Sequence, residues 1–342
     1  MIDVVTMGEI LIDFVSVAAG VSIKDSPGFA KAPGGAPANV AVGVRRLGRT
    51  SAFIGKVGSD DFGRFLGETL AREGVDTRGV RYEDRARTML AFVSLGPDGE
   101  REFMFYRHPS ADMLLEPSEI DTGLIAGARV FHHGSISLIT EPSRSATLAA
   151  VEAARAAGAL VSYDPNLRLP LWPTPDEARS TILAAARSAD IMKVSEEELA
   201  FLTGATGVVQ GLRQGVRRLR NIVAADCAIV VTRGRRGCAL APGGSAEPSL
   251  EIPGFDVRAV DTTGAGDAFV GGLLVGLIEA MGAVGAAATT RTALRALGEV
   301  EWRRALTLAN AVGALCTTRL GAIPALPTAE EVWTFLDERS PG

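Results

Sequence analysis

The sequence predicts a doubly wound α/β fold, a mostly parallel sheet with helices on both faces, plus a small β-sheet set apart from it. Three observations carry this expectation. From Ala128 to Ala224, short apolar runs alternate with longer stretches of helical period, the pattern of consecutive βαβ units. Between Thr88 and Tyr106, two alternating runs flank Gly96-Pro97-Asp98-Gly99-Glu100, a hairpin signal that breaks into that series. In the last third, Asp261-Thr262-Thr263-Gly264-Ala265-Gly266-Asp267-Ala268-Phe269 opens an apolar helical run through Leu277.

Taken in order, Ile2–Met7 reads as a buried strand, and Glu9–Val15 continues extended with Asp13 interrupting its apolar residues. Asp13 is either a strand-edge acid facing water or a carboxylate aimed at the hydroxyls of a polyol. Next, Ala32-Pro33-Gly34-Gly35-Ala36-Pro37-Ala38-Asn39 leads into a helical pattern that ends at Gly48. Gly34 and Gly35 permit close backbone approach to a ligand, with Asn39 in the first turn; a plain loop with a proline-assisted helix start fits as well. Ser51–Val57 reads as a strand and Asp61–Glu73 as a helix. The hairpin is expected to join Glu9–Val15 and Phe29–Ala32 in the small sheet, which would serve as a lid.

Beyond Ala128, strands are expected at Val130–His133, Leu160–Tyr163, Ile191–Lys193 and Cys227–Thr232, with helices near Ser143–Ala157, Asp176–Ala186, Glu196–Thr203 and Gly211–Ala224. Ligands of such sheets lie past the carboxyl ends of the strands. Three polar clusters fall there: Asp164 to Arg168, Lys193 to Glu198, and Thr232 to Gly237. Met281–Val300 reads as a surface insertion, Glu301–Thr318 as a helix, and Gly321–Pro327 as the segment that closes the core. The chain is expected to be one domain, 1–342, with the lid formed by about 9–33 and 87–108.

Composition narrows the function. Hydrophobic content of 47% with 39 glycines in 342 residues suits an α/β enzyme. A net charge of −5 carries no basic surplus, so nucleic acid is not an expected partner and any phosphate must be held locally. Cys227, Cys238 and Cys316 are scattered and pair with no histidine at metal-ligand spacing, which points to a reducing compartment. The N-terminus lacks the basic and apolar regions of a secretion signal, and no apolar stretch is expected to span a membrane once glycines and charges are counted. A cytoplasmic protein is expected.

The Gly264-Ala265-Gly266-Asp267 stretch carries the chemistry. A helix start offers unpaired N–H groups to an anion, and an acid planted beside them can take a proton from a hydroxyl that attacks phosphorus. A threonine cap with an acid in the first turn gives the same letters. The stretch is not a dinucleotide fingerprint, because the third glycine position holds Phe269, and Gly55-Lys56 lacks the spacing of a P-loop. No serine stands in G-x-S-x-G.

Two segments, Pro33-Gly34-Gly35-Ala36-Pro37-Ala38-Asn39-Val40-Ala41 and Asp261 to Phe269, resemble the two signatures of the ribokinase-like (PfkB) carbohydrate kinases. The resemblance covers nearly the whole chain. It is closest to the fructokinase branch, especially the plant-type enzymes, through Arg101 to Arg107, Ser110 to Leu114, Gly134 to Leu138 and Tyr163 to Pro173. It implies ATP-dependent phosphorylation of a sugar, fructose to fructose 6-phosphate, with Mg²⁺ and activation by K⁺. A kinase of 2-keto-3-deoxygluconate or another sugar is the alternative. By position, Asp267 would be the base and Gly264, Ala265 and Gly266 the anion hole. Asp13, Gly34, Gly35, Asn39 and Asn166 would hold the sugar, with Arg107 reaching in from the lid and Arg168 facing the phosphates. Lys193, Glu198, Thr232, Gly234, Gly237 and Asn310 would line the nucleotide side. The monovalent-ion loop would draw on Asp261, Thr263, Cys316, Arg319 and Gly321. The chain departs from ribokinase at Ala325, where that enzyme has serine, and carries Ser195-x-x-Glu198 for the family's Asn-x-x-Glu. The apolar residues Phe14, Phe92, Phe103 and Phe105 either seal a homodimer lid to lid or pack over the ligand or the main sheet.

Overall fold

The structure is a computed structural model that describes residues 2–18, 20–95, 101–283 and 290–339. These form thirteen strands: β1 (Ile2–Met7), β2 (Leu11–Ser16), β3 (Phe29–Gly34), β4 (Ser51–Gly58), β5 (Asp76–Glu83), β6 (Leu90–Leu95), β7 (Arg101–Tyr106), β8 (Ala128–His133), β9 (Leu160–Tyr163), β10 (Ile191–Ser195), β11 (Ala228–Thr232), β12 (Cys238–Ala241) and β13 (Leu250–Ile252). Nine of them make the large sheet, in the order β13-β12-β11-β10-β9-β8-β1-β4-β5. Pairing is parallel from β5 through to β11 and antiparallel for β12 and β13.

The central strands are apolar on both sides, as a sheet covered by two helix layers requires. Val4, Val130, Leu160 and Ile191 pack with helices Ala36–Arg46, Ala265–Ala283 and Glu299–Cys316. Val5, Phe131 and Val161 face the other way, onto helix Ser143–Ala156, while Met192, Val194 and Ile229 meet the layer of helices Pro175–Ala186, Glu196–Thr203 and Val208–Arg220.

Ala265–Ala283 and Glu299–Cys316 approach very closely. A Cβ on Gly272 would lie 2.9 Å from the Ala309 Cα, and one on Gly276 would lie 2.7 Å from the Ala305 Cα. Ala265–Gly282 is long and apolar enough to cross a membrane by composition, contrary to the sequence expectation. Its glycines serve helix packing, and most of it is buried inside the protein.

β2, β3, β6 and β7 form the small sheet in the order β3-β2-β6-β7, joined as the sequence predicts. The alternation of a strand separates its two faces. Asp13 pairs with Ala91 and Val93 with Phe103, which places Asp13, Phe103 and Phe105 on the inner face. Phe14 stacks on Phe92 at 5.1 Å on the outer face, where Phe29, Phe62 and Tyr106 complete an aromatic cluster. The hairpin turn 96–100 lies outside the described residues.

Three sequence expectations need correction. β5 goes unpredicted, because an edge strand reading Asp-Thr-Arg-Gly-Val-Arg-Tyr-Glu lacks a continuous apolar run. β12 and β13 are also missed; they are short and antiparallel at the opposite edge. Met281–Val300 is not merely a surface insertion, although 284–289 lie outside the described residues. Thr290–Arg295 is helical, Ala293, Leu294 and Leu297 are buried, and Arg291 bonds to Asp190 at 2.9 Å and to the Ala159 carbonyl at 2.8 Å.

Candidate active site

A cavity of about 690 Å³ opens between the inner face of the small sheet and the carboxyl ends of the large one. Asp13, Gly35, Asn39, Asn166, Arg168, Lys193, Asp261, Thr263, Gly264, Gly266, Asp267 and Gly321 line it, twelve residues that the sequence singles out from six separate segments.

Asp267 sits in the first turn of helix Ala265–Ala283 and is 7% exposed. Its two oxygens are held by amides from opposite sides: Asn39 Nδ2 donates to Oδ2 at 2.7 Å, and Asn166 Nδ2 donates to Oδ1 at 3.1 Å. Burial raises its pKa, against the Asn39 hydrogen bond and the cations Arg168 and Lys193. The result is a fixed carboxylate with more proton affinity than an exposed aspartate. Asn166 is delivered by an unusual backbone. Its φ is +44°, and its N–H donates to Asp164 Oδ1 at 3.1 Å, a local turn that an Asp-Pro-Asn sequence can make.

Beside this acid, Gly264 adopts φ +75°, and a Cβ there would touch Ala322 at 3.0 Å. The Ala265 N–H donates to the Thr262 carbonyl at 3.3 Å, while among the described residues the Gly264 and Gly266 N–H groups have no main-chain acceptor. Ala265 itself does not line the cavity. Lys193 reaches in from the middle of β10 and pairs with buried Asp164 at 3.0 Å. Burial alone would lower the Lys193 pKa, yet Asp164, Glu198 and Asp267 around it raise it, so the ammonium stays charged.

On the small sheet, burial pushes the Asp13 carboxyl up to about 7, eased by Arg168 and reinforced by Asp267 and Asp261. Gly34 lies directly behind it, where a Cβ would fall 2.1 Å from Asp13 Oδ2. Gly35 has φ +108°, and a Cβ there would meet the Glu9 carbonyl at 2.5 Å. The paired glycines therefore make room for the chain's own backbone and for Asp13.

The loop proposed for a monovalent ion also assembles. Asp261 Oδ1 accepts from the Thr263 N–H at 2.9 Å and hydroxyl at 2.7 Å, and Oδ2 accepts from the Gly321 N–H at 2.8 Å. The Cys316 thiol faces the Thr263 carbonyl at 3.7 Å. Arg319 turns its guanidinium to Glu331 instead.

Other predicted residues lie farther out. Arg107 does not line the cavity; it is buried, donating to Asp112 at 2.9 Å and to the Ile136 carbonyl at 3.1 Å. Glu198 faces an adjoining cavity with Asn166, Arg168, Lys193 and Ser195. Its carboxylate caps Ser195 at 2.8 Å and accepts the Leu167 N–H at 2.7 Å. Thr232 ends β11 and Gly234 and Gly237 follow it, all outside both cavities, and a Cβ on Gly237 would strike the Ile252 carbonyl at 2.1 Å. Asn310 donates to the Pro253 carbonyl at 3.1 Å, tying β13 to helix Glu299–Cys316. Two residues escaped the sequence reading. Asp164 was visible only as part of a polar cluster, and Glu9 only as an acid between two apolar strands.

An acid held by amides at a helix start, beside unpaired N–H groups and a charged lysine, can accept a proton while an anionic group is transferred. Residues 1–329 match the pfkB family carbohydrate kinases, and the chain belongs to that family. It is a sugar kinase with the ribokinase-like fold. Its relatives narrow the class. The "Probable fructokinase-4" of Arabidopsis thaliana is 50% identical over 336 residues, covering 97% of this chain and 96% of that protein. A fructokinase from Xylella fastidiosa with bound ATP superposes with a TM-score of 0.86 at 34% identity, covering 99% of each chain. A fructokinase double mutant from Vibrio cholerae O395, in fructose-, ADP- and potassium-ion-bound form, gives a TM-score of 0.80 at 36% identity over 98% of each chain.

Proposed function

We propose that the chain is an ATP-dependent fructokinase that converts D-fructose to fructose 6-phosphate with Asp267 as general base. The observation that carries this reading is the Asp267 carboxylate, clamped by Asn39 and Asn166 on the wall of the cavity beneath the small sheet. The sugar hydroxyl gives its proton to Asp267 as its oxygen bonds to the γ-phosphorus, and the bond from that phosphorus to the β-phosphate oxygen breaks, releasing ADP. Asp13 and Asn39 hold the sugar through its other hydroxyls. The N–H groups of Gly264 and Gly266 and the helix start take the transferring phosphoryl, and Lys193 and Arg168 offset its charge. The small sheet acts as a lid of a single-domain enzyme, excluding water that would otherwise hydrolyse ATP.

The donors present suit the two expected cations. Glu198 keeps acceptor capacity beyond its two main-chain N–H bonds, so it would hold Mg²⁺ through water, and the ion when bound would neutralise charge on the phosphates. Asp261, Thr263 and Gly321 offer hard oxygen donors for K⁺, although buried Ala325 adds none from its side chain. The outer aromatic face of the lid, with Tyr106 and Met104 exposed, supports a lid-to-lid homodimer, and the free, buried thiols of Cys227, Cys238 and Cys316 support a reducing, cytoplasmic location. An ATP-consumption assay across fructose, glucose, ribose and 2-keto-3-deoxygluconate tests the reading. Fructose should lead in kcat/KM by about 10-fold or more; a preference for the sugar acid would overturn it.

A further inference from the structure

Five acids are buried among the described residues: Glu9, Glu83, Asp112, Asp164 and Asp267. Four of them have side-chain donors. Glu83 meets Lys56 and Arg85, Asp112 meets Arg107 and Ser110, Asp164 meets Lys193, and Asp267 meets Asn39 and Asn166. Glu9 has none among the described residues. Its carboxylate faces only main-chain N–H groups, that of Ala36 at 3.1 Å from Oε1 and its own. A carboxylate offers about four acceptor positions, and these donors fill at most two. A buried carboxylate without a cation is costly to keep, which makes it a candidate for function when it faces a cleft.

Glu9 does face one. It lines the 690 Å³ cavity together with Asp13, Gly35, Asn39 and Ile136, on the short passage between the end of β1 and the start of β2. The cation in its surroundings, Arg107, is committed to Asp112, though its Nη1 has no partner among the described residues. Burial pushes the Glu9 carboxyl up to about 7, opposed by the two N–H groups and Arg107 and reinforced by Asp112.

Building on the sugar-kinase reading, we propose that Glu9 is a specificity-determining sugar contact. It accepts a hydrogen bond from a hydroxyl of a neutral sugar, and with Asp13 it turns away sugars that carry a carboxylate. Charge-assisted hydrogen bonds to a hydroxyl are strong, and like charges in a shared desolvated site disfavour a wrong ligand. Arg168 also lines the cavity, but its guanidinium is turned to the main-chain carbonyls of Asn166 and Leu167.

The test compares the full chain with Glu9→Gln, Glu9→Asp and Glu9→Ala in the ATP-consumption assay on fructose and on 2-keto-3-deoxygluconate. Glutamine keeps an amide oxygen for the Ala36 N–H and loses the charge. Glu9→Gln is expected to raise KM for fructose about 10-fold, hold kcat within about 3-fold, and cut the fructose preference about 10-fold. Glu9→Asp, which keeps the charge but withdraws it by one methylene, should raise KM for fructose while still rejecting the sugar acid. If KM and preference in both variants stay within about 2-fold of the parent, Glu9 merely caps helix Ala36–Arg46 and the inference fails, whatever Glu9→Ala does to stability. Unmutated protein that ignores fructose but uses glucose or ribose removes only the fructose assignment, and the Glu9 variants are then read on that sugar. A parent that prefers the sugar acid overturns both.

Discussion

Two buried lysines meet carboxylates in this molecule, and their surroundings differ. Lys56 on β4 contacts Glu83 at 3.2 Å, Glu119 at 2.7 Å and the Leu114 carbonyl at 2.9 Å, and Arg85 adds a second cation to Glu83. Arg85 above all, with its N–H and with Lys56, holds the Glu83 carboxyl well below the usual carboxylate range. This group fastens β4 and β5 to the segment around residues 114–119 and lines neither cavity described above. Among the described residues, Lys193 on β10 has Asp164 alone within ion-pair distance, at 3.0 Å, and burial pushes that acid upward. One cluster satisfies its charges internally; the other leaves capacity for a ligand. Strong compensation marks structural ion pairs here, and incomplete compensation marks the cavity.

The sharpest way to break this comparison is Asp267→Asn. It keeps the shape and can retain a contact with Asn39, but it cannot take a proton. Turnover should fall at least about 10²-fold with the fold preserved, read by steady-state kinetics beside a thermal melt. Near-parental turnover would remove Asp267 from the mechanism.

The paired substitutions Lys193→Met and Lys56→Met sharpen it. Losing Lys193 should lower kcat by about 10²-fold. Losing Lys56 leaves Glu119 and Glu83 short of a cation and should cost about 3 kcal/mol of stability, with kcat/KM of the folded enzyme changed by less than about 3-fold. Denaturant melts and kinetics on both variants would separate the two roles; equal kinetic losses would erase the distinction.

Gly34→Ala probes the sugar side, because its Cβ would drive against Asp13 Oδ2. KM for the sugar should rise about 10-fold, with KM for ATP unaffected, since displacement of a positioned group weakens binding.

The smallest effect concerns pH. The folded Asp13 carboxyl is raised to about 7, so the folded state binds its proton more tightly than the unfolded chain does. Its contribution to stability is full below about 4 and is lost as pH rises through about 7. Asp13→Asn should therefore melt higher than the parent at pH 8, with an advantage that shrinks as pH falls through about 7 and is gone below about 4, in thermal scans. Glu83 has the opposite sign: lowered in the folded state, it contributes above its unfolded value and loses that contribution as pH falls.

The sequence by itself determined the alternation of strands and helices, the four strands of the small sheet, and the glycine-flanked acid at the start of helix Ala265–Ala283. These are local signals, written in period, turn residues and helix starts. It also determined which polar clusters end at the carboxyl edge, since parallel winding puts every such loop on one side. The polar edge strand β5 and short β12 and β13 were illegible, because their pairing depends on a neighbour and not on their own pattern. Whether Asp13 faces water or the cavity was settled by strand register, which a single-residue slip would reverse. Only the tertiary structure brought Asn39 and Asn166 onto one carboxylate across sequence separations of 228 and 101 residues. Only it turned Arg107 toward Asp112 and left Glu9 without a side-chain donor among the described residues. The physical reason is common to all of these: burial and partnership set what a charged group can do, and both are properties of the packed chain.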